Sequence, residues 1–211
     1  MKHLNRVVFY ILGIFLISLG SVLAIKSKLG VSPINSLPFS LTKISNISLG
    51  VASTMLFIVY VIIQIIILKK DFDKIQLLQI IFAILFGQLV NFFNTIININ
   101  LESYTIRIIL CIGSLFITAI GVFLTITANI VPVAPDGLTN VISIKRNKDF
   151  GKIKIYFDCT IVTLSALLLI FSGKSLEGIG VGTLLAAIFV GRIVFFINKN
   201  FKEKVEKIIF L

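Results

Sequence analysis

Six uninterrupted apolar runs constrain this chain more than any other feature. Each is close to the roughly 20 residues that a helix needs to cross a bilayer core of about 30 Å. They cover 7–25, 49–68, 77–97, 108–130, 153–171 and 181–197. Hydrocarbon offers no partner for backbone N–H and C=O groups, so such runs must close their hydrogen bonds internally as helices. Charged residues make up 14% of the chain and the mean hydropathy is +1.08, whereas a soluble domain carries about 25% charged residues. The expected fold class is an all-α membrane protein with six transmembrane helices.

The formal net charge of +11 does not point to nucleic acid, because the basic residues sit in short connections and the C-terminal tail rather than in a basic domain. Their distribution is informative in another way. With six crossings, Lys2, Arg6, Lys69, Lys70, Lys74, Lys145, Arg146, Lys148, Lys152, Lys154 and the tail lysines share one side. Lys26, Lys28, Lys43, Arg107 and Lys174 share the other. That bias predicts both termini in the cytoplasm. Cys111 and Cys159 fall inside apolar runs and His3 is the only histidine, so neither a metal site nor a Cys–His nucleophile is readily assembled. No enzyme activity and no cofactor are expected.

The chain also repeats itself. "AILFGQLVNFFN" (83–94) and "AIFVGRIVFFIN" (187–198) share six of twelve positions, and Gly20, Pro33 and Gly50 have counterparts in Gly121, Pro135 and Gly151 at nearly the same offset. Fixed-period self-similarity points to a duplicated unit, with a first three-helix repeat over 1–100, a second over 101–198 and an amphipathic cytoplasmic tail over 199–211. The first run supplies Gly20 to this pattern and exceeds a signal-peptide core, so it is expected to stay in the fold. An odd number of crossings per unit makes the second copy enter from the opposite face. The result would be two inverted repeats, an architecture whose sites lie where the repeats meet.

In each half one long connection carries a proline among small polar residues: "KLGVSPINSL" (28–37) and "IVPVAPDGL" (130–138). Ser32-Pro33 reads as a helix start, with proline where its missing N–H costs nothing, and Asp136 would sit favourably in the first turn of a second short helix. These segments are expected to be re-entrant or interfacial half-helices. As re-entrant elements they would aim free N–H groups at a shared site; as interfacial ones they would lie along the two membrane surfaces. The candidate substrate-binding residues are Pro33, Asn35, Ser36, Pro135, Asp136, Gly137, Asn140 and Asp158.

Asp158 is the carboxylate squarely within a run, where ionised groups are costly and often functional; pairing with Lys154 one turn earlier is its structural alternative. Gln79, Gln88, Asn91 and Asn94 read as interhelical glue. "GIGVGT" (178–183) lacks the lysine and strand of a phosphate loop and reads as close helix packing.

Residues 33–37 resemble the "G-x-x-P-x-D-x-L" element of YczE/YyaS/YitT membrane proteins, and 134–138 resemble that family's "P-R-D-G-L" counterpart. Residues 178–183 with Ala186, Ala187 and Gly191 are similar to the start of its final span. Asn35 stands where that family commonly has an acidic residue. The resemblance implies a bacterial inner or plasma-membrane protein without enzyme chemistry. The leading expectation is a small-solute transporter with a midplane site between inverted repeats. The alternative is a non-transporting accessory or regulatory membrane protein acting through a protein partner. An S-component-like substrate binder suits the size but not the duplication. The expected partners are the lipid bilayer, an unidentified small solute, and a second copy or another membrane protein, with no nucleic acid.

Overall fold

The structure is a computed structural model describing residues 2–99 and 102–209. The expected repeat boundary at 100/101 and the last two tail residues lie outside the described residues. Among the described residues eight α-helices follow one another: α1 (Lys2–Lys26), α2 (Pro33–Ser45), α3 (Leu49–Leu68), α4 (Leu78–Ile96), α5 (Tyr104–Ala128), α6 (Ala134–Arg146), α7 (Phe150–Phe171) and α8 (Val181–Ile209). Two 3₁₀ turns, Lys69–Asp71 and Lys74–Leu77, connect α3 to α4. No strand occurs among the described residues. Six of the helices are long and apolar enough to cross a membrane. The other two, α2 and α6, have 13 residues each, about 20 Å of axis, which is too short to span. The chain therefore has the architecture of a multi-pass membrane protein.

The helix limits follow local chemistry. Ser48 and Asp149 cap α3 and α7 by accepting from the backbone N–H of Val51 and Lys152, satisfying groups that a helix start leaves unpaired. Pro33 opens α2 at its first position. Both short helices stop at an asparagine in the left-handed region, Asn46 (φ 54) and Asn147 (φ 49), a conformation that asparagine tolerates better than most residues. The last helix is longer than the sixth run. It continues unbroken past residue 198 to Ile209, which is fully buried, and Asn5 Nδ2 donates to the Ile208 carbonyl at 3.3 Å. The described part of the tail thus extends α8 and packs beside the start of α1.

Two glycine contacts set the packing. In an antiparallel pair, α1 and α5 approach so closely that a Cβ on Gly13 would lie 2.8 Å from the Gly121 carbonyl oxygen, and one on Gly20 would lie 3.0 Å from that of Ser114. Lipid tails are as apolar as leucine, so helices in a membrane associate through such backbone proximity and through polar bonds rather than through water exclusion. Between α3 and α4, a side chain on Gly50 or Gly87 would overlap the other's backbone. Gly50 N–H donates to Asn91 Oδ1 at 2.8 Å, and Thr54 Oγ1 donates to the Ala83 carbonyl at 3.1 Å. Asn91 is therefore interhelical glue, as its sequence position suggests.

The second half packs differently. Helix α8 leans on α5 and makes no pairing with α7 comparable to that of α4 with α3. Nothing lies within 4 Å of the position a Cβ would take on Gly191, the counterpart of Gly87. The glycines of 178–183 do serve close packing: Val31 N–H donates to the Gly178 carbonyl and Gly182 N–H to the Leu29 carbonyl, both at 2.8 Å.

Gly121→Leu should force α1 and α5 apart and lower stability by about 1–3 kcal/mol, the usual cost of overpacking. Gly113→Leu, on the same helix with no atom within 4 Å of its added Cβ, should be near neutral. Thermal unfolding of the two variants in detergent checks the difference.

Candidate functional site

The two short helices gather polar residues at opposite ends of α7. At one end, buried Asn35 donates from Nδ2 to Ser21 Oγ at 2.8 Å and to Ser32 Oγ at 3.0 Å, fastening α2 to α1. Ser165, toward the C-terminal end of α7, donates to the Ser36 carbonyl at 3.0 Å and shares a 2.5 Å contact with Ser40 Oγ. Ser36 Oγ turns back to the Pro33 carbonyl at 2.7 Å. These polar groups satisfy one another.

At the other end, the start of α6 meets a pair of amides. Gln64 of α3 and Gln79 of α4, both essentially inaccessible, exchange two hydrogen bonds of 3.0 and 3.2 Å. Gln64 Nε2 also donates to the Ala134 carbonyl at 3.3 Å. Gly137 lies against this pair: a Cβ there would be 2.9 Å from Gln64 Oε1 and from Gln79 Nε2. A side chain at this position would have to displace the ends of the two amides.

The next residues carry the charge. Lys154 Nζ lies 2.7 Å from Asp158 Oδ1 on its own helix and 3.5 Å from Asp136 Oδ1 on α6. The two carboxylates and one ammonium leave an excess negative charge in a poorly solvated setting. Asp136 occupies the first turn of α6, where the helix dipole favours it, yet its Oδ1 is buried without a hydrogen-bond partner.

Among the described residues three further buried polar atoms share that condition: Tyr10 Oη, Tyr60 Oη and Ser53 Oγ. Tyr10 is wholly buried and interacts electrostatically with Asp136; Tyr60, 4% exposed, does so with Asp158. Tyr60 also stacks edge-on against Phe157 at 5.6 Å. An unsatisfied buried polar group costs about 1–3 kcal/mol, so such a group in a native fold calls for an explanation. Beside Tyr10 lies a small, partly open space of about 10 Å³, lined also by Phe57, Gln79, Pro132, Val133 and Ala134. That is room for about one water.

The eight candidate residues therefore fall into separate groups. Pro33, Asn35 and Ser36 belong to the satisfied network at the α2 end, whereas Pro135, Asp136, Gly137 and Asp158 gather at the α6 end. Asn140, on the exposed side of α6, joins neither. Asp158 is paired with Lys154 as the spacing allows, and the same lysine reaches Asp136. Tyr10, Tyr60 and Gln64 were not among the candidates. Their only sequence signal is a polar atom inside an apolar run, with Tyr60 and Gln64 four residues apart on one face of α3.

An exposed ion pair lies beyond the α2 end. Lys43 Nζ is 2.6 Å from Glu177 Oε2 in the α7–α8 connection. The Lys43 hydrogen bond and charge, and then Ser175, hold the Glu177 carboxyl below the usual carboxylate range.

A model of a family of unknown function, DUF6198, matches residues 4–199, and the chain belongs to that family. No curated protein and no solved structure matches it.

Two outcomes follow from these contacts. Gln64→Leu should strand Gln79 Oε1, leaving Gln79 only its bond from Nε2 to Gln76 Oε1 at 2.6 Å, and cost about 1–3 kcal/mol. The Gln64→Leu/Gln79→Leu double variant should cost less than the single, and melting curves of the two rank them. Because the Glu177 carboxyl is lowered in the fold, its link to Lys43 should persist at and above the ordinary carboxylate range. It should be lost as the pH falls through the lower folded value. The pair is largely exposed and worth under about 1 kcal/mol, so the readout is faster amide exchange in 172–180 at acid pH, absent as a pH effect from Glu177→Gln.

Proposed function

We propose that this DUF6198 protein is a small-solute transporter of a bacterial plasma membrane, with both termini cytoplasmic and its two halves arranged as inverted repeats. The observation that carries the reading is the Asp136–Lys154–Asp158 cluster at the start of a short helix, surrounded by buried hydroxyls that have no partner. Ionisable groups inside membrane helices are expensive and typically mark solute or proton pathways. Short helices that start within a bundle are the usual means of presenting free N–H groups to a solute.

The inverted arrangement draws support from paired contacts. Gly13 meets Gly121, while Gly20, the counterpart of Gly121, meets Ser114. Likewise α2 is held to α7 through Ser36 and Ser165, and α6 to α3 through Gly137 and Gln64. The first pair of contacts is what a twofold axis in the membrane plane would generate, and the second agrees with it at the level of the helices paired. The similarity of 33–37, 134–138 and 178–191 to YczE/YyaS/YitT proteins accords with the same architecture and localisation.

A second reading has its own observation. The small space beside Tyr10 has room for about one water, and its lining does not include Pro33 or Asn35. So small a space suits an accessory protein that works through helix contacts with a partner. A transporter in an occluded state would also have little internal space, but it must open to both sides in turn.

Cysteine labelling separates the two. In a background lacking Cys111 and Cys159, Ala134→Cys at the lining should react with a membrane-impermeant maleimide from either face of oriented vesicles if the halves rock. Reaction from one face only, or from neither, would remove transport and leave the accessory role. Asn46→Cys and Asn147→Cys, both at exposed helix ends, should react from opposite faces. Labelling of both from the same face would end the inverted-repeat reading.

A further inference from the structure

The charge count at the start of α6 is the least explained feature of the molecule. Helix α7 contributes Lys154 and Asp158, α6 contributes Asp136, α1 contributes the Tyr10 hydroxyl and α3 the Tyr60 hydroxyl; the nearest polar side chain from α4 is the uncharged Gln79. One ammonium faces two carboxylates. Asp158 holds Lys154 at 2.7 Å, while Asp136 Oδ1, at 3.5 Å, has no hydrogen bond. The three side chains are only 16–27% exposed and holding uncompensated charge away from water is unfavourable, so the cluster favours one more positive charge or one fewer negative charge.

We infer that the Asp136–Lys154–Asp158 cluster binds one proton, which takes the place of the missing positive charge. The geometry favours a proton over a metal cation. A metal ion on Asp136 Oδ1 would sit at oxygen-ligand distance, about 2–2.6 Å, on an atom that already has the Lys154 ammonium 3.5 Å away. Repulsion from that ammonium would oppose it, whereas protonation simply leaves Lys154 matched to the other carboxylate. The proton belongs to the cluster rather than to one residue. Tyr10, fully buried with an unpaired hydroxyl, interacts electrostatically with Asp136 and lines the one-water space beside the start of α6.

As the coupling ion of the proposed transporter, this proton rests on the transport reading; as a protonation site it stands alone. The test uses full-length protein in detergent. Wild type should show a melting temperature that rises as the pH falls from neutral, because the folded cluster holds a proton that the unfolded chain lacks. Asp136→Asn and Asp158→Asn each leave one carboxylate for Lys154. Each should melt within about 2–4 °C of wild type and lose that pH dependence. The double variant strands Lys154 and should fall much further than the two singles added together. Lys154→Met should be destabilised at neutral pH and recover on acidification.

Infrared difference spectra between about pH 8 and about pH 6, where exposed carboxylates stay ionised, should carry a protonated-carboxyl band in wild type. The band should move in Tyr10→Phe and vanish from the double variant. Additive losses in the two single variants with the pH dependence intact, or a band unchanged in the double variant, would overturn the proton site. A wild-type band combined with one-sided labelling of Ala134→Cys would remove transport and keep the proton; the absence of the band with two-sided labelling would do the reverse.

Discussion

The near-contact of α1 and α5 backbones at Gly13, Gly20 and Gly121 is the constraint on which the rest of the bundle depends. With no water to expel between helices, this pair gains its stability from dispersion between closely placed backbones. The antiparallel crossing puts Arg6 beside the end of α5, where it donates to the Ala128 carbonyl at 3.0 Å and also to that of Asn129. It also turns Tyr10 inward to meet Phe82 at 4.3 Å. The same helix carries Ser21, which receives Asn35. One close pair thus positions residues that contact both short helices.

Those two helices resemble each other in length, entry and exit, yet their surroundings differ in completeness. Hydroxyl and amide groups around α2 find partners within hydrogen-bond distance. Around α6 the amides are satisfied, whereas the charged group and the nearby hydroxyls are not. Networks in a low-dielectric interior rigidify when complete and are costly when partial. An incomplete network at one end only, retained at a cost of several such groups, is where a function involving charge is best sought.

The halves differ again at their final helices. Gly50 and Gly87 let α3 and α4 touch, and Asn91 seals the crossing with a hydrogen bond to a backbone N–H. In the second half Phe195 stands at the position matching Asn91, Gly191 meets open space, and α8 rests on α5. Two segments that share half their residues thus take different neighbours, because the polar residue that closes one crossing is missing from the other.

Much of the architecture was legible in the residues. The six apolar runs marked six helices to within a few residues at most ends, since nothing but a helix satisfies an isolated backbone run in lipid. The proline segments marked two short helices through proline's tolerance of a first-turn position. Asp136 and Asp158 were conspicuous because charge is rare and expensive in such a sequence. Other features had no local signature. Whether Asp158 would keep Lys154 to itself, and whether Asn35 and Asp136 would meet, depends on which helices the bundle brings together. Tyr10, Tyr60 and Gln64 look like ordinary members of apolar runs until packing removes every partner from two of them and pairs the third with Gln79. Helix formation is decided by each segment's own backbone and solvent, so sequence alone determined it; the charge balance and the orphaned hydroxyls arise from contacts between residues distant along the chain, so only the tertiary structure could decide them.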